Sequence, residues 1–491
     1  MLRPEEANVA EGEAILDIRV PAPELPDELE WVNTREPVRL GALRGRVVVL
    51  HFWCHSSVNA QHNLPDLRHL ENKYHDGLSV VSIHCPRFPA ERVGANVLKA
   101  VNRAFIRHAV ASDPDFRAWQ LFKVPAWPTV VVLDTEGNIA RVLVGEGHRA
   151  TLDALVHQLL EDAARRDARV YESAVPVSRP EPKMPLRFPG RVLATETALY
   201  VADSGHNRIL ETTHDGRILC QFGSGNPGFW DGKATDAGFS NPQGMAIVKD
   251  VLYVADQGNH AIRRVRLHTG EVDTIAGTGQ QGLGVVDDSE ALRETGLNAP
   301  CDLAAAGERI FIAMSGANQV WALDLARQRI GRVAGTGANA SHDGGLDVAA
   351  FARPSGVVSH GQMVYVADAD GSAIRSIRLI DLQVRTLAGA GPWEPGDVDG
   401  VPEKARLQAP GAIAIDPGGA LLWVADTLNS KIKALSLRGG GVRTLALPFR
   451  FHEPTGLSVA ARALWVANTN AHEVVRIDTA SGQIKRLPIG E

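Results

Sequence analysis

LYVADSGHNRIL (199–210), LYVADQGNHAIRRV (252–265), IFIAMSGANQVWAL (310–323), VYVADADGSAIRSI (364–377), LWVADTLNSKIKAL (422–435) and LWVANTNAHEVVRI (464–477) are six near-copies of one segment. Each alternates apolar and polar residues, turns at a small or polar cluster, and alternates again, which is the pattern of two antiparallel strands joined by a short turn. Such a unit cannot bury its own faces and must stack on its neighbours, and a stack that closes into a ring is a β-propeller. A proline opens each unit, at 189, 242, 300, 354, 410 and 454. The residue after Val-Ala, at 203, 256, 314, 368, 426 and 468, follows its proline by 14 positions in five units and by 16 in the fifth. Apolar runs such as GMAIV (244–248) and GAIAI (411–415) supply a strand before each copy. Glycine-rich endings such as TIAGTG (274–279), RVAGTG (332–337) and TLAGAG (386–391) close a fourth strand after it. The expectation is six blades of four strands over 189–491.

Residues 1–166 follow another rhythm. VVVLHFW (47–53) and LSVVSIHC (78–85) are continuous apolar runs, as in parallel strands covered on both faces. Helical patterns lie over 59–75, 100–110 and 151–166, and 129–145 is a hairpin turning at Glu136-Gly137. The order is that of an α/β domain built around a βαβ unit. Between the two regions, 167–188 is rich in proline and polar residues and reads as a semi-extended linker, with Leu186 to Phe188 a candidate extra strand for the ring.

VVVLHFW followed by LPDL (64–67), and FKVPAWPTVVVLD (122–134), resemble a thioredoxin-like domain. With the V-A-D and proline repeats behind it, the chain resembles NHL-repeat-containing proteins that carry an N-terminal thioredoxin domain. The resemblance implies a cis proline at Pro128 and a Cys-x-x-Cys dithiol at the start of the first helix, where the helix N-terminus stabilises a thiolate. The two cysteine positions fall on Ser57 and Ala60, neither of which supplies a thiol. The dithiol is therefore degenerate. The remaining candidate thiols are Cys54 and Cys85, which end the two apolar strands and share a carboxyl-end rim if those strands are parallel neighbours; Cys220 and Cys301 read as buried thiols.

With 491 residues and a formal net charge of −6, the chain is long enough for two domains and carries no basic excess for nucleic acid. No stretch approaches the ~18 apolar residues of a membrane span, no apolar run follows the N-terminal MLRPEEANVAEGEAIL, and four cysteines are too few for a disulfide framework. The expectation is a cytoplasmic protein without membrane, metal or cofactor.

Three functions fit this reading. The first is a protein-interaction module whose partner binds the propeller's loop face. That face would carry Trp230, Asp231, Asp287, Asp288, Asp343, Trp393, Glu394, Asp397 and Asp399, although Asp-Gly pairs are also turn formers. The second is a thiol–disulfide oxidoreductase using Cys54. The third is a propeller hydrolase or lyase with a metal in the channel, where Asp302 and His360 are the polar residues of the innermost strands. The repeated Asp203, Asp256, Asp368 and Asp426 are read as turn-fixing carboxylates that accept backbone N–H groups.

Overall fold

The computed structural model describes residues 20–166, 184–391 and 394–490, and the chain divides between Glu181 and Pro182 into two compact units. Among the described residues no helix is long and apolar enough to cross a membrane.

In the first unit, Val20–Pro21 (β1), Glu30–Trp31 (β2), Val47–Trp53 (β3), Leu78–His84 (β4), Ala109–Ser112 (β5), Thr129–Leu133 (β6) and Asn138–Val144 (β7) form one sheet of order β1-β7-β6-β3-β4-β5-β2. β3, β4 and β5 run parallel, and β6 and β7 antiparallel. Helices Val58–Lys73 (α1), Gly94–Arg103 (α2), Arg117–Leu121 (α3) and Arg149–Arg165 (α4) complete it. Leu50 and Phe52 join one apolar cluster with Ile83 and Val131. Val47 and Val49 join another with Leu64 and Leu67 of α1 and Val156 of α4. Burial on both faces explains the unbroken apolar runs. The helix expected over 100–110 stops early. Phe105 takes φ 54° and turns the chain, so that Ala109 and Val110 enter β5. The Trp127–Pro128 bond is cis, as expected.

The second unit is a ring of six four-stranded antiparallel blades. Their innermost strands begin at Arg191, Pro242, Pro300, Pro354, Ala412 and Gly456, and their second strands end at the six expected turn residues. The constant offset has a simple cause. In blades two, three and four the proline and the turn residue face each other across the hairpin, as Pro242↔Asp256, Pro300↔Met314 and Pro354↔Asp368.

After the turn residue comes one 3-10 turn in five blades and a plain turn over 369–372 in blade four, and in every blade it ends at a left-handed residue with φ near 50° (Asn207, His260, Asn318, Ser372, Ser430, His472). The turn residue also latches the loop that enters its own blade. Asp203 accepts the Arg187 N–H at 2.7 Å, Asp256 that of Ser240 at 2.8 Å, Asp368 that of Arg353 at 2.7 Å, Asp426 that of Gln408 at 2.7 Å and Asn468 that of His452 at 2.6 Å. Met314 receives Asn298 N–H on its sulfur at 3.4 Å. The repeated carboxylates are structural.

Leu186 to Phe188 form no strand. All four strands of blade one come from 191–222 and those of blade six from 456–486. The ring closes by packing instead. Val192, Leu199 and Val201 of blade one meet Ala463, Trp465 and Ala467 of blade six, joined by Leu186 and Ile489. Thr455 Oγ1 donates to Gly190 O at 2.8 Å, and Ser458 Oγ accepts the Ala194 N–H at 2.9 Å.

Candidate functional site

Parallel pairing of β3 with β4 runs in register from Val47↔Leu78 to Trp53↔His84. The next residues, Cys54 and Cys85, therefore emerge side by side at the carboxyl rim, where open α/β sheets place their sites. Cys85 N–H donates to Trp53 O at 2.8 Å. Both thiols are 0% exposed, and all four cysteines are free. Cys85 Sγ lies 3.8 Å from Asp113 Oδ2, and Cys54 Sγ accepts from Ser56 Oγ at 3.7 Å. Burial first, then the charges of Asp113 and Cys54, push the Cys85 thiol well above its ordinary value. It is a thiol at neutral pH, and nucleophilic exchange runs through the thiolate.

Ser57 caps α1, its Oγ accepting the Ala60 N–H at 3.2 Å. Ala60 is buried against Trp53, Val97 and Val101. The two positions where the dithiol was expected thus hold a capping hydroxyl and a packed methyl. The residue preceding Pro128 reaches the same rim, Trp127 Nε1–H donating to Cys85 O at 3.1 Å.

Alternation sends His51, Trp53, Ser82 and His84 to the opposite side of the sheet from Phe52 and Ile83. A hydrogen-bonded chain runs there from His51 Nδ1 to Ser82 Oγ (3.2 Å), on to His108 Nε2 (2.7 Å), and from His108 Nδ1 to Glu71 Oε1 (3.1 Å). Burial, then His108, lowers the His51 pKa to about 3; burial, then His55, lowers that of His84 to about 3. His84 Nε2 lies 3.1 Å from His55 Nδ1 and accepts the His55 N–H at 3.3 Å. Glu91, fully buried on the short turn Pro89–Arg92, accepts N–H groups from Ser56 (3.0 Å), Arg87 (2.6 Å) and Phe88 (2.9 Å). Sequence reasoning missed Ser82, His84, Glu91 and His108. The available signal was the histidines inside runs otherwise read as apolar strand.

On the propeller, the turns between second and third strands hydrogen-bond to the loops entering their blades, as in Gly258 N–H to Ser240 O at 2.9 Å, so these segments share one face. Most of the expected interaction residues brace that face. Asp231 accepts from buried Arg263 (3.1 Å) and from Thr274 Oγ1 (2.8 Å). Asp343 accepts from Arg375 (2.8 Å) and the Thr386 N–H (2.9 Å), and Asp399 from the Thr444 N–H (2.8 Å). Asp287 pairs with Arg332 (2.7 Å), Asp288 with Arg329 (2.6 Å), Glu394 with Arg406 (2.8 Å), and Asp397 with Lys431 and Lys433. Trp230 stays 45% exposed while its Nε1–H donates to Asp236 O at 2.6 Å. Trp393 lies outside the described residues. Apolar side chains on the entering loops, Leu283, Val285, Val348, Val398 and Val401, are also exposed.

The ring's interior holds a residue the sequence did not flag. Arg191, on the innermost strand of blade one, is buried. It donates to Ser355 O (2.7 Å) in blade four, to Gly411 O (3.0 Å) just before the inner strand of blade five, and to Thr455 O just before that of blade six. Its Nε lies 3.6 Å from Asp302 Oδ1 in blade three. Asp302 thus answers a cation of the chain itself, and His360 is exposed at its strand end. Among the described residues, the one His/Cys/Asp/Glu grouping with metal-binding spacing is His55, His84 and Glu91, outside the propeller.

Residues 45–139 match the family model described as thioredoxin-like. The chain is 34% identical over 525 aligned positions to NHL repeat-containing protein 2 of Homo sapiens, covering 95% of this chain and 71% of that protein. It is 34% identical over 500 positions to Protein SUPPRESSOR OF QUENCHING 1, chloroplastic, of Arabidopsis thaliana, covering 94% of this chain and 47% of that one. A shorter likeness, 24% over 147 residues, covers 99% of Thiol-disulfide oxidoreductase YkuV of Bacillus subtilis and 30% of this chain. Matched along nearly its whole length by a relative of which it covers more than two thirds, the chain belongs to the NHL repeat-containing protein 2 family.

Proposed function

We propose that this chain is a protein-binding scaffold whose thioredoxin-like unit has lost dithiol exchange. The observation that carries the reading is the start of α1, where Ser57 Oγ spends its acceptor on the Ala60 N–H and Ala60 is buried. Dithiol exchange needs an accessible, acidified thiol at that place, and the nearest thiols are sealed in the core with Cys85 shifted the wrong way. The partner is a protein docking on the loop face of the propeller. Exposed apolar side chains there, Trp230 and Leu283 (87%) among them, stand on loops braced by internal ion pairs, and a rigid face loses less entropy on binding. We assign the chain to a cytoplasmic setting, in keeping with four free thiols.

A second reading is a thiol–disulfide oxidoreductase acting through Cys54. It is favoured by the side-by-side emergence of Cys54 and Cys85 and by the likeness to a named oxidoreductase. Insulin reduction by the full chain with dithiothreitol separates the two. The scaffold reading expects the rate of dithiothreitol alone, unchanged in Cys54→Ser; turnover that Cys54→Ser abolishes establishes the second. For the docking face, the double variant Trp230→Asp/Leu283→Asp is expected to lose partners that the native chain cross-links, with its fold intact by circular dichroism. Unchanged cross-links would remove the loop face from the reading.

A further inference from the structure

The polar tier under the rim contains an arrangement that the scaffold reading does not use. His55 Nδ1, His84 Nε2 and Glu91 Oε1 all lie within 4.8 Å of one another. The two nitrogens are 3.1 Å apart, and His55 Nδ1 is 3.6 Å from the carboxylate oxygen. The three residues come from three places, the loop after β3, the last position of β4 and the Pro89–Arg92 turn, and all are buried. We propose that this cluster is a binding site for one divalent transition-metal ion of the zinc type, held by His55, His84 and Glu91.

Hydrogen accounting supports the site. His84 Nε2 accepts the His55 N–H, so the ring proton sits on Nδ1 and Nε2 carries the lone pair, which a metal would take over from that N–H. That Nδ1 is buried and has no hydrogen-bond partner. His84 therefore presents the nitrogen that coordinates a metal. The three ligand atoms converge, and beyond the backbone N–H groups that His84 Nε2 and Glu91 Oε1 accept, a proton on His55 Nδ1 bridges only one of the gaps at a time. One cation answers all three.

The carboxylate is oriented in advance. Three backbone N–H groups, from Ser56, Arg87 and Phe88, grip Glu91, as metal-ligating carboxylates are commonly gripped by their surroundings. Those donors also offset part of the cost of burying its charge, and a bound dication would neutralise the remainder.

The donor set selects the metal class. Two imidazoles and one carboxylate suit zinc and its neighbours, whereas calcium and magnesium take oxygen ligands. Four-coordinate zinc, with bonds of about 2.0–2.1 Å, keeps its ligand atoms about 3.3–3.4 Å apart. The observed 3.1 and 3.6 Å bracket that spacing, so both fit with shifts of a few tenths of an ångström. An ion there would tie the loop after β3, which leads into the α1 cap at Ser57, to the end of β4 and to the turn before α2.

The test uses the full chain stripped with a chelator, then titrated with Zn²⁺ by calorimetry and with Co²⁺ by visible absorption. The expected result is one saturable equivalent per chain and the visible bands of low-coordinate cobalt. His55→Gln, on a loop, should weaken binding more than about 10-fold while circular dichroism stays native. Glu91→Gln should do the same; if it fails to fold, His55→Gln decides. Glu146→Gln, at the separate His62–Glu146 pair, should bind as the parent does. Absence of a saturable equivalent, one that survives His55→Gln, or one that Glu146→Gln removes would each overturn the site.

Discussion

His51 and Asp256 are both fully buried ionisable groups, and the two units of the molecule accommodate them in opposite ways. In the thioredoxin-like unit, His51 and His84 are drawn down to about 3 and Cys85 is pushed up, all chiefly by burial, so each sits in the core uncharged. In the propeller, Asp256 faces Arg263 at 2.9 Å, Asp368 faces Arg375 at 3.2 Å and Asp426 faces Lys433 at 3.4 Å, with every member of the three pairs buried. A neutral imidazole or thiol needs only a hydrogen bond or two. A carboxylate that must hold a loop by its N–H groups works best charged, and it then needs a cation within reach.

The blades vary this rule in a revealing way. The cation lies seven residues after the turn residue in blades two, four and five. Where the turn residue is uncharged, in blades three and six, the same place is apolar, giving Met314 with Trp321 and Asn468 with Val475. In blade one Leu210 stands there, and Asp203 takes Arg208 (2.8 Å) and His206 (2.9 Å) instead. The two members change together because a buried charge left alone is costly.

The largest test of this contrast is Arg263→Met. It strands Asp256 and unpairs Gly238 O and Trp230 O. The propeller should lose about 3–5 kcal/mol in urea unfolding, the usual cost of breaking a buried pair; a loss within error would mean the pair is not held charged. Next comes acid. The folded pKa of His51 lies below its ordinary 6.5, at about 3. Its stability contribution is therefore whole above pH 6.5 and is lost as pH falls toward 3, because only the unfolded chain takes up the proton there. The slope is about 1.4 kcal/mol per pH unit. His51→Phe should flatten the pH dependence of the first unit's unfolding by that amount, and an unchanged slope would refute neutral burial.

Smaller in effect is Asp256→Asn/Arg263→Val, which gives blade two the pair of blade six. It should cost about 1–2 kcal/mol, less than Arg263→Met alone, since no charge is left alone. A cost equal to that of the single variant would show that the carbonyl contacts, not the charge pair, dominate. The smallest is Ser57→Ala, about 1 kcal/mol from the lost cap, read by thermal unfolding. A larger loss would point to a role for Ser57 beyond capping.

What the sequence made legible follows from what repeats. Six copies fixed the blade count, and the proline-to-aspartate offset anticipated the hairpin pairing. The positions expected for the dithiol, Ser57 and Ala60, were placed by counting back from Leu64-Pro65. Features made by one residue alone were not readable. Glu91 reaches His55 because the chain turns through Pro89–Arg92, and no local spacing announces that. His84 was hidden in a run that reads as apolar strand. The helix expected over 100–110 ended at a left-handed Phe105 that no glycine or asparagine marked. The loop carboxylates looked like turn formers, but their bonds to Thr274, Thr386 and Thr444 depend on strands about 43–45 residues onward.

Arg191 has no counterpart in the other blades, and it works as a ruler. One side chain of fixed length starts in blade one and touches blades three, four, five and six across the axis. Its five N–H groups are fixed in a planar fork, so its partners must lie at the radius of a six-blade ring. A ring of seven copies would be wider and leave the guanidinium stranded; a ring of five would crowd it out. The repeats specify the blades, and one residue that the other blades do not share audits their number.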